Sequence, residues 1–345
     1  MINQRLFDHY GIDTGKDLAI RNQCPRPFDT VLIDRQGSCY ACECTSWLPQ
    51  SIGNLQLKSL DEIVQSPMST QLQESISDGS YRYCNNNQCS YILDKRSIGN
   101  VPWSTSKPER KIKHIRLAID DSCNLSCPSC RTKQIFERDK HRLQRKYAMS
   151  DKIIKYVKSI SHNVNIHVGS DGDPFASLVY RYFIKKTKDL PNVRFTIQTN
   201  GLLIKKMYQR HTGMFEKLDV LNVSIDGATK QTYEKLRRGG SFEAIVSNLM
   251  AVSELKRKHN FKFILHFVVQ KQNYLELETM AKLAESCGAD RLWFNRITNW
   301  NTFSDFAYED VLDARNDEYE KCMDTINQLK KKNYKVLIEM PTLIR

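Results

Sequence analysis

At 345 residues, 40% of them hydrophobic, the chain has room for two domains and material for a sizeable core. A formal net charge of +13 suits an acidic partner, such as nucleic acid, an anionic peptide or a phosphorylated glycan, and is equally met by a solvated Lys/Arg surface. No apolar run nears the roughly 20 residues that span a bilayer, and residues 1–8 are not a secretory signal. The expected location is therefore the cytoplasm, with no membrane partner, where eleven cysteines point to metal sites rather than disulfides.

The N-terminal stretch is cysteine-rich, with Cys24, Cys39, Cys42, Cys44, Cys84 and Cys89. Residues 28–34 read as a strand, turned at 35–38, and the next strand carries Cys39, Cys42 and Cys44. A loop over 49–53 follows. Ser59, with Glu62 three residues on, predicts the start of a short helix, and a second helix runs around 68–76. A unit this small has little core, so a metal staple is expected; zinc and an iron–sulfur cluster both accept four thiolates. Gly99, Pro102 and Pro108 mark a linker over 96–111, which leaves 1–95 as the first domain.

Beyond the linker, strands are expected at 114–120, 164–169, 193–199, 219–225, 262–269 and 291–296. Each interval leaves room for a helix, which argues for a parallel α/β sheet. Six such units over 112–300 form a partial (β/α)6 TIM-like barrel, open rather than closed. Residues 308–332 show helical spacing and 334–340 a further edge strand, within a C-terminal region of 301–345.

Directly after the first of these strands stand Cys123, Cys127 and Cys130, at spacing x3 and x2. Three thiolates satisfy three irons of a four-iron cluster and leave the fourth open to a small molecule. Zinc would want a fourth ligand, and His141, in a very basic segment, is a poor one. In such a barrel the chemistry sits at the strands' carboxyl ends. There the chain places Gly172 and Asp173, then Asn200, then Ser224 and Asp226, with Arg237 beyond. Taken singly these read as turns, a helix N-cap and a solvated charge. His114, His167 and His266 read as packed strand residues, and Trp293, Phe294 and Trp300 as core or rim. Cys287 and Cys322 read as ordinary buried thiols. The basic segment 131–146 reads as a solvated helix face.

The triplet and the motifs at these strand ends resemble the radical S-adenosylmethionine (radical SAM) enzymes. The resemblance implies the six-unit barrel, a [4Fe–4S] cluster on Cys123, Cys127 and Cys130, and S-adenosylmethionine bound at its open iron. Reductive cleavage would then give a 5′-deoxyadenosyl radical that abstracts hydrogen from a substrate. It implies contacts to S-adenosylmethionine from Gly172, Asp173, Asn200, Ser224, Asp226 and Arg237. Ser129 stands where the family usually has an aromatic residue, and Asp171 and Asp173 depart from its Gly-Gly-Glu-Pro motif. Residues 20–95 resemble the SPASM auxiliary-cluster domain, here placed before the barrel rather than after it. That resemblance implies an auxiliary [4Fe–4S] cluster on Cys24, Cys42, Cys84 and Cys89, with Cys39 and Cys44 as alternatives. A peptide or protein substrate leads, a carbohydrate or small metabolite follows, and RNA is third. An external reductant such as flavodoxin or ferredoxin is implied. The competing class is a non-catalytic iron–sulfur or zinc protein that moves electrons or docks partners.

Overall fold

The computed structural model describes residues 24–89, 92 and 110–340. Most of the expected linker, 96–109, lies outside the described residues. The chain divides into two compact units, each discontinuous in sequence.

The first unit holds the described residues up to Asp120, then Asp139–Ser170 and Leu190–Arg194. It opens with one helical turn, α1 (Arg26–Asp29), where a strand was expected; Pro27, inside its first turn, has the φ a helix start needs. Strand β1 therefore begins only at Thr30 and ends at Ile33. Strand β2 (Ser38–Tyr40) carries Cys39 alone; Cys42 and Cys44 follow it in turns, so the expected three-cysteine strand is shorter than read. The loop expected over 49–53 gives way to β3 (Ser51–Asn54). Helices α2 (Leu60–Val64) and α3 (Pro67–Ser77) follow. Ser59 and Glu62 form a complete capping box: Ser59 N donates to the Glu62 carboxylate at 2.8 Å, and Glu62 N donates to Ser59 Oγ at 3.3 Å. Then come β4 (His114–Leu117), α4 (Lys140–Ser159) and β5 (Val164–Val168). β1 pairs antiparallel with β2, β2 with β3, and β1 pairs parallel with β4, which pairs parallel with β5. Much of the basic side of α4 is solvated, but Lys146 is buried and paired with Asp120 at 2.6 Å. His114 is exposed at the start of β4 rather than packed.

The second unit holds Asp121–Arg138, Asp171–Asp189 and the chain from Phe195. Its elements are α5 (Leu178–Thr187), β6 (Val193–Thr199, all but its first two residues here), α6 (Ile204–Arg210), α7 (Thr212–Glu216) and β7 (Leu218–Ser224). Then follow α8 (Lys230–Leu236), α9 (Phe242–His259), β8 (Lys262–Val269), α10 (Leu277–Ser286), β9 (Arg291–Arg296), α11 (Phe306–Glu309), α12 (Tyr319–Lys330) and β10 (Leu337–Glu339). Strands β6 to β10 pair in sequence order, all parallel. The helix expected over 308–332 is formed only from Tyr319, because Asp310–Glu318 is taken up by turns.

Side-chain alternation gives the strands two unlike faces. On one, Ile197, Leu221, Val223, Phe263, Leu265, Phe267, Leu292 and Phe294 are completely buried. Each such side chain contributes roughly 1.5–3 kcal/mol to the fold. The opposite face is half-buried and polar. Helix starts are fixed by Ser177, Thr229 and Ser241, whose hydroxyls accept from Tyr180 N, Thr232 N and Ala244 N. The architecture is α/β, mostly parallel, and no strand pairing closes it into a barrel. Among the described residues no helix is long and apolar enough to cross a membrane.

Candidate functional site

The triplet and every strand-end residue singled out with it fall in the second unit. Cys123 is held by a two-residue bridge to Ile135, its N–H donating to Ile135 O at 2.7 Å. The loop then turns back so that Cys130 N donates to Cys127 O at 2.9 Å. Cys127 is 7% exposed, Cys123 is half-buried and Cys130 is exposed.

Each thiol has a donor from this unit. Asn200 Nδ2 lies 3.8 Å from Cys123 Sγ, Arg237 Nη1 lies 3.8 Å from Cys127 Sγ, and Arg131 Nε lies 3.4 Å from Cys130 Sγ. Burial pushes the Cys123 thiol up to about 11, with the Asp173 charge adding to it. Burial also raises Cys127, against the pull of Arg237. Thiols so raised become ligands only where a cation repays their ionisation.

Asp173 is completely enclosed. Its carboxylate accepts from Phe175 N at 3.0 Å, Ala176 N at 3.1 Å, Thr199 Oγ1 at 2.7 Å and Asn200 N at 2.8 Å. Burial raises its pKa and these four bonds oppose the shift. Gly172 lies half-buried in the turn just before it. Asn200 Nδ2 also donates to Asn124 Oδ1, inside the triplet loop, at 2.9 Å. The turn after Asn200 needs glycine: Gly201 has φ +82°, and an added Cβ would come within 2.5 Å of Ile245.

Asp226, 2% exposed, pairs with Arg237 at 2.8 Å and also accepts from Val268 N at 2.9 Å. Burial acts against the Arg237 charge, but Asp226 and the Cys127 sulfur outweigh it and hold the guanidinium firmly protonated. Ser224 Oγ accepts from Gln198 Nε2 at 2.6 Å. Beside this pair, Arg237 Nε and Tyr233 OH are both buried with no hydrogen-bond partner among the described residues. Asn124, Arg131, Tyr233 and Arg238 belong to this constellation and were not singled out from sequence. Arg238 Nε donates to Ser126 O at 3.1 Å and ties the loop after α8 to the triplet. A signal for two of them was present, since Asn124 and Arg131 directly follow cysteines of the motif.

In the first unit, Cys24 is half-buried and Cys42, Cys84 and Cys89 are buried. They are mutual electrostatic neighbours: Cys24, Cys42 and Cys89 all act on Cys84. Burial pushes Cys42 up to about 12 and raises Cys24 and Cys84 beyond the usual thiol range. Cys39 stands apart, its thiol donating to Gly37 O at 3.6 Å, with Asp34 as its charged neighbour. Cys44 Sγ lies 3.0 Å from Ser46 Oγ and close enough to Cys42 to act on it. Among the described residues no three Cys, His, Asp or Glu side chains are grouped so as to hold a single metal ion. Cys287 and Cys322 are buried thiols, as read from sequence.

The radical SAM superfamily model matches residues 119–284, which include all of these strand-end motifs, and the model of an iron–sulfur cluster-binding domain, SPASM, matches residues 24–90. The chain carries a radical SAM domain. Its SPASM domain lies N-terminal to the radical SAM domain. The radical SAM domain implies a [4Fe–4S] cluster and S-adenosylmethionine, and the SPASM domain an auxiliary iron–sulfur cluster. The residues present fit both. Each set offers buried thiols that ionise only against a cation, and the triplet adds two orphaned buried donors, Arg237 Nε and Tyr233 OH.

The chain is similar to a probable GTP 3′,8-cyclase of Methanococcus maripaludis strain C6, 29% identical over 147 residues, 42% of this chain and 47% of that protein. It is also similar to a GTP 3′,8-cyclase of Limosilactobacillus fermentum, 27% identical over 180 residues, 49% of each. The chain thus spans about half the length of the curated relatives it matches. Among solved structures it is similar to SuiB of Streptococcus suis, with 15% identity and a TM-score of 0.43, covering 81% of this chain and 61% of that one.

Proposed function

We propose that Cys123, Cys127 and Cys130 hold a [4Fe–4S] cluster whose remaining iron takes S-adenosylmethionine, and that the chain starts radical chemistry on a small molecule. Held there, the cluster would supply the electron for reductive cleavage of S-adenosylmethionine, and so the radical chemistry that abstracts hydrogen from a substrate. The observation that carries this reading is the pair of orphaned buried donors, Arg237 Nε and Tyr233 OH, beside Cys127.

The residues divide the work. Asp226 fixes the Arg237 guanidinium, leaving its Nε–H to donate to a carboxylate such as the methionyl one. Asp173 has about four lone-pair sites, all taken, so in this reading it is a positioning residue rather than a contact to the methionyl amine. It sets the backbone of Asn200, which in turn orients Cys123. Arg131 places positive charge beside Cys130. Gly172 and Ser224 keep the ligand-side parts that the resemblance implies. In the first unit, Cys24, Cys42, Cys84 and Cys89 hold the auxiliary cluster; Cys39 is left out because it has none of these four as a neighbour. A one-electron carrier such as flavodoxin or ferredoxin supplies the reducing equivalents.

The small-molecule reading is supported by the curated relatives, which are named for a nucleotide. A peptide is the second reading, favoured by the SPASM domain. The test of radical generation is anaerobic reconstitution followed by reduction with dithionite. 5′-Deoxyadenosine is expected, and Cys127→Ala should abolish it while the unreconstituted protein keeps its melting temperature. A loaded four-iron cluster that gives no 5′-deoxyadenosine on reduction would overturn the assignment.

A further inference from the structure

The polar face of the second unit's strands has a character of its own. In register, Gln198 stands beside Asn222, Ser224 beside His266, His266 beside Trp293, and Val268 beside Asn295. His266 Nε2 donates to Asn222 Oδ1 at 3.0 Å, and its Nδ1 faces Asn295 Nδ2 at 3.5 Å. The Trp293 ring stacks on His266, with centroids 5.2 Å apart and planes 25° from parallel. Burial and the nearby Arg237 charge keep His266 neutral, and the same Arg237 touches the Cys127 sulfur, so this face adjoins the triplet.

Three polar groups on it have no partner among the described residues. Trp293 Nε1 is buried and donates to nothing, and Gln198 Oε1 and Asn295 Oδ1 accept nothing. Between them Ile264 and Val268 supply apolar surface at the same half-buried depth. The charged positions on this face of β8 to β10 are Lys262 and Arg291, both exposed at the strands' amino ends, and Glu339, which stands beside Trp293 and pairs with Arg291 at 3.1 Å.

We propose that this face is the substrate wall and that it takes a neutral, hydroxyl-rich ring, a sugar moiety. The inference rests on the radical SAM reading of the adjoining triplet for its role, but not for its chemistry. Hydroxyls both donate and accept, which suits one orphaned indole N–H and two open amide oxygens. The C–H edges of such a ring suit Ile264, Val268 and the free side of Trp293. A ligand whose affinity rests on charge would seek a bidentate or ionic partner, and Glu339, the carboxylate beside Trp293, is already paired with Arg291. A peptide read through its charged side chains is disfavoured for the same reason.

The test is ligand-observed saturation-transfer NMR on the anaerobically reconstituted full chain. The probes are the common neutral hexoses, 6-deoxyhexoses and pentoses, each as methyl glycoside and as nucleotide-linked sugar, with GTP and a capped neutral hexapeptide alongside. Saturation is expected on sugar-ring protons of at least one probe; the glycoside and nucleotide-linked arms tell a free sugar from an activated one. Asn295→Leu and the more conservative Trp293→Phe should each weaken that binding about tenfold, the effect of one lost hydrogen bond, with melting temperatures within a few degrees of wild type. Saturation on no sugar, or on GTP or the peptide through other groups alone, would overturn the proposal, as would unchanged binding in both variants. Binding does not require S-adenosylmethionine cleavage. A chain that cleaves it yet binds no sugar refutes this inference alone, and one that binds sugar without cleaving it refutes the radical reading alone.

Discussion

His266 shows how one side chain can tie stability to pH. An unfolded histidine titrates near 6.5, whereas burial, helped by the Arg237 charge, lowers the folded value to about 4. Above about pH 6.5 both states are neutral. As pH falls from there toward about 4, only the unfolded chain gains the proton, so stability is lost across that window, by up to about 3 kcal/mol. Urea unfolding of wild type and His266→Gln at pH 7 and pH 4.5 checks this: the wild type should lose more, and a difference between the two that ignores pH would refute a neutral His266. At this scale the sequence was only partly legible. The cysteines could be named because spacing carries them, and Arg237 because the family resemblance implies it, but the partners that give them meaning could not. Nothing near Asp173 in sequence says that Thr199 and Asn200 will fill its carboxylate, and nothing in the 230s says that Tyr233 will be buried without a partner.

The strand ends are where the elements most constrain one another. Gly201 is held at φ +82°, where an added Cβ would meet Ile245 Cδ1 at 2.5 Å and Val223 Cγ1 at 2.8 Å. Gly201→Ala should cost well over 1 kcal/mol, and pairing it with Ile245→Val, which removes that Cδ1 atom, should recover part of the loss. Thermal melts of the three variants decide it; no recovery would show that backbone strain rather than the clash dominates. The parallel strands were legible because each is a short β-branched or aromatic run bounded by turn residues. Strand β3 was not, because Ser-Ile-Gly-Asn lacks strand propensity and is recruited by its antiparallel pairing with β2. Strand β1 was overextended because Phe28 and Asp29 continue its apolar pattern, although Pro25 and Pro27 favour a helical start.

Each of the two units carries a complete donor set of its own, so the proposed clusters should load independently. Wild type reconstituted with iron and sulfide should carry roughly eight irons per chain, the content of two four-iron clusters, and Cys84→Ala should fall to roughly four. The visible absorption of the remaining cluster should persist. Loss of all iron in Cys84→Ala would show that the sites are not separable.

The first unit is assembled from three separate stretches of chain. Strand β1 finds its parallel neighbour far downstream, Thr30 beside His114, and β4 in turn waits for β5, which ends at Val168. A fragment cut near residue 95 would leave one edge of β1 with its peptide groups unpaired, a template for aggregation. The cysteine-rich segment is therefore not a cassette that can be excised or transplanted. During synthesis its thiols emerge long before their scaffold is complete, and the nascent chain must keep them reduced and unmetallated, or metallate them early, until the ribosome has released the strands that finish the fold.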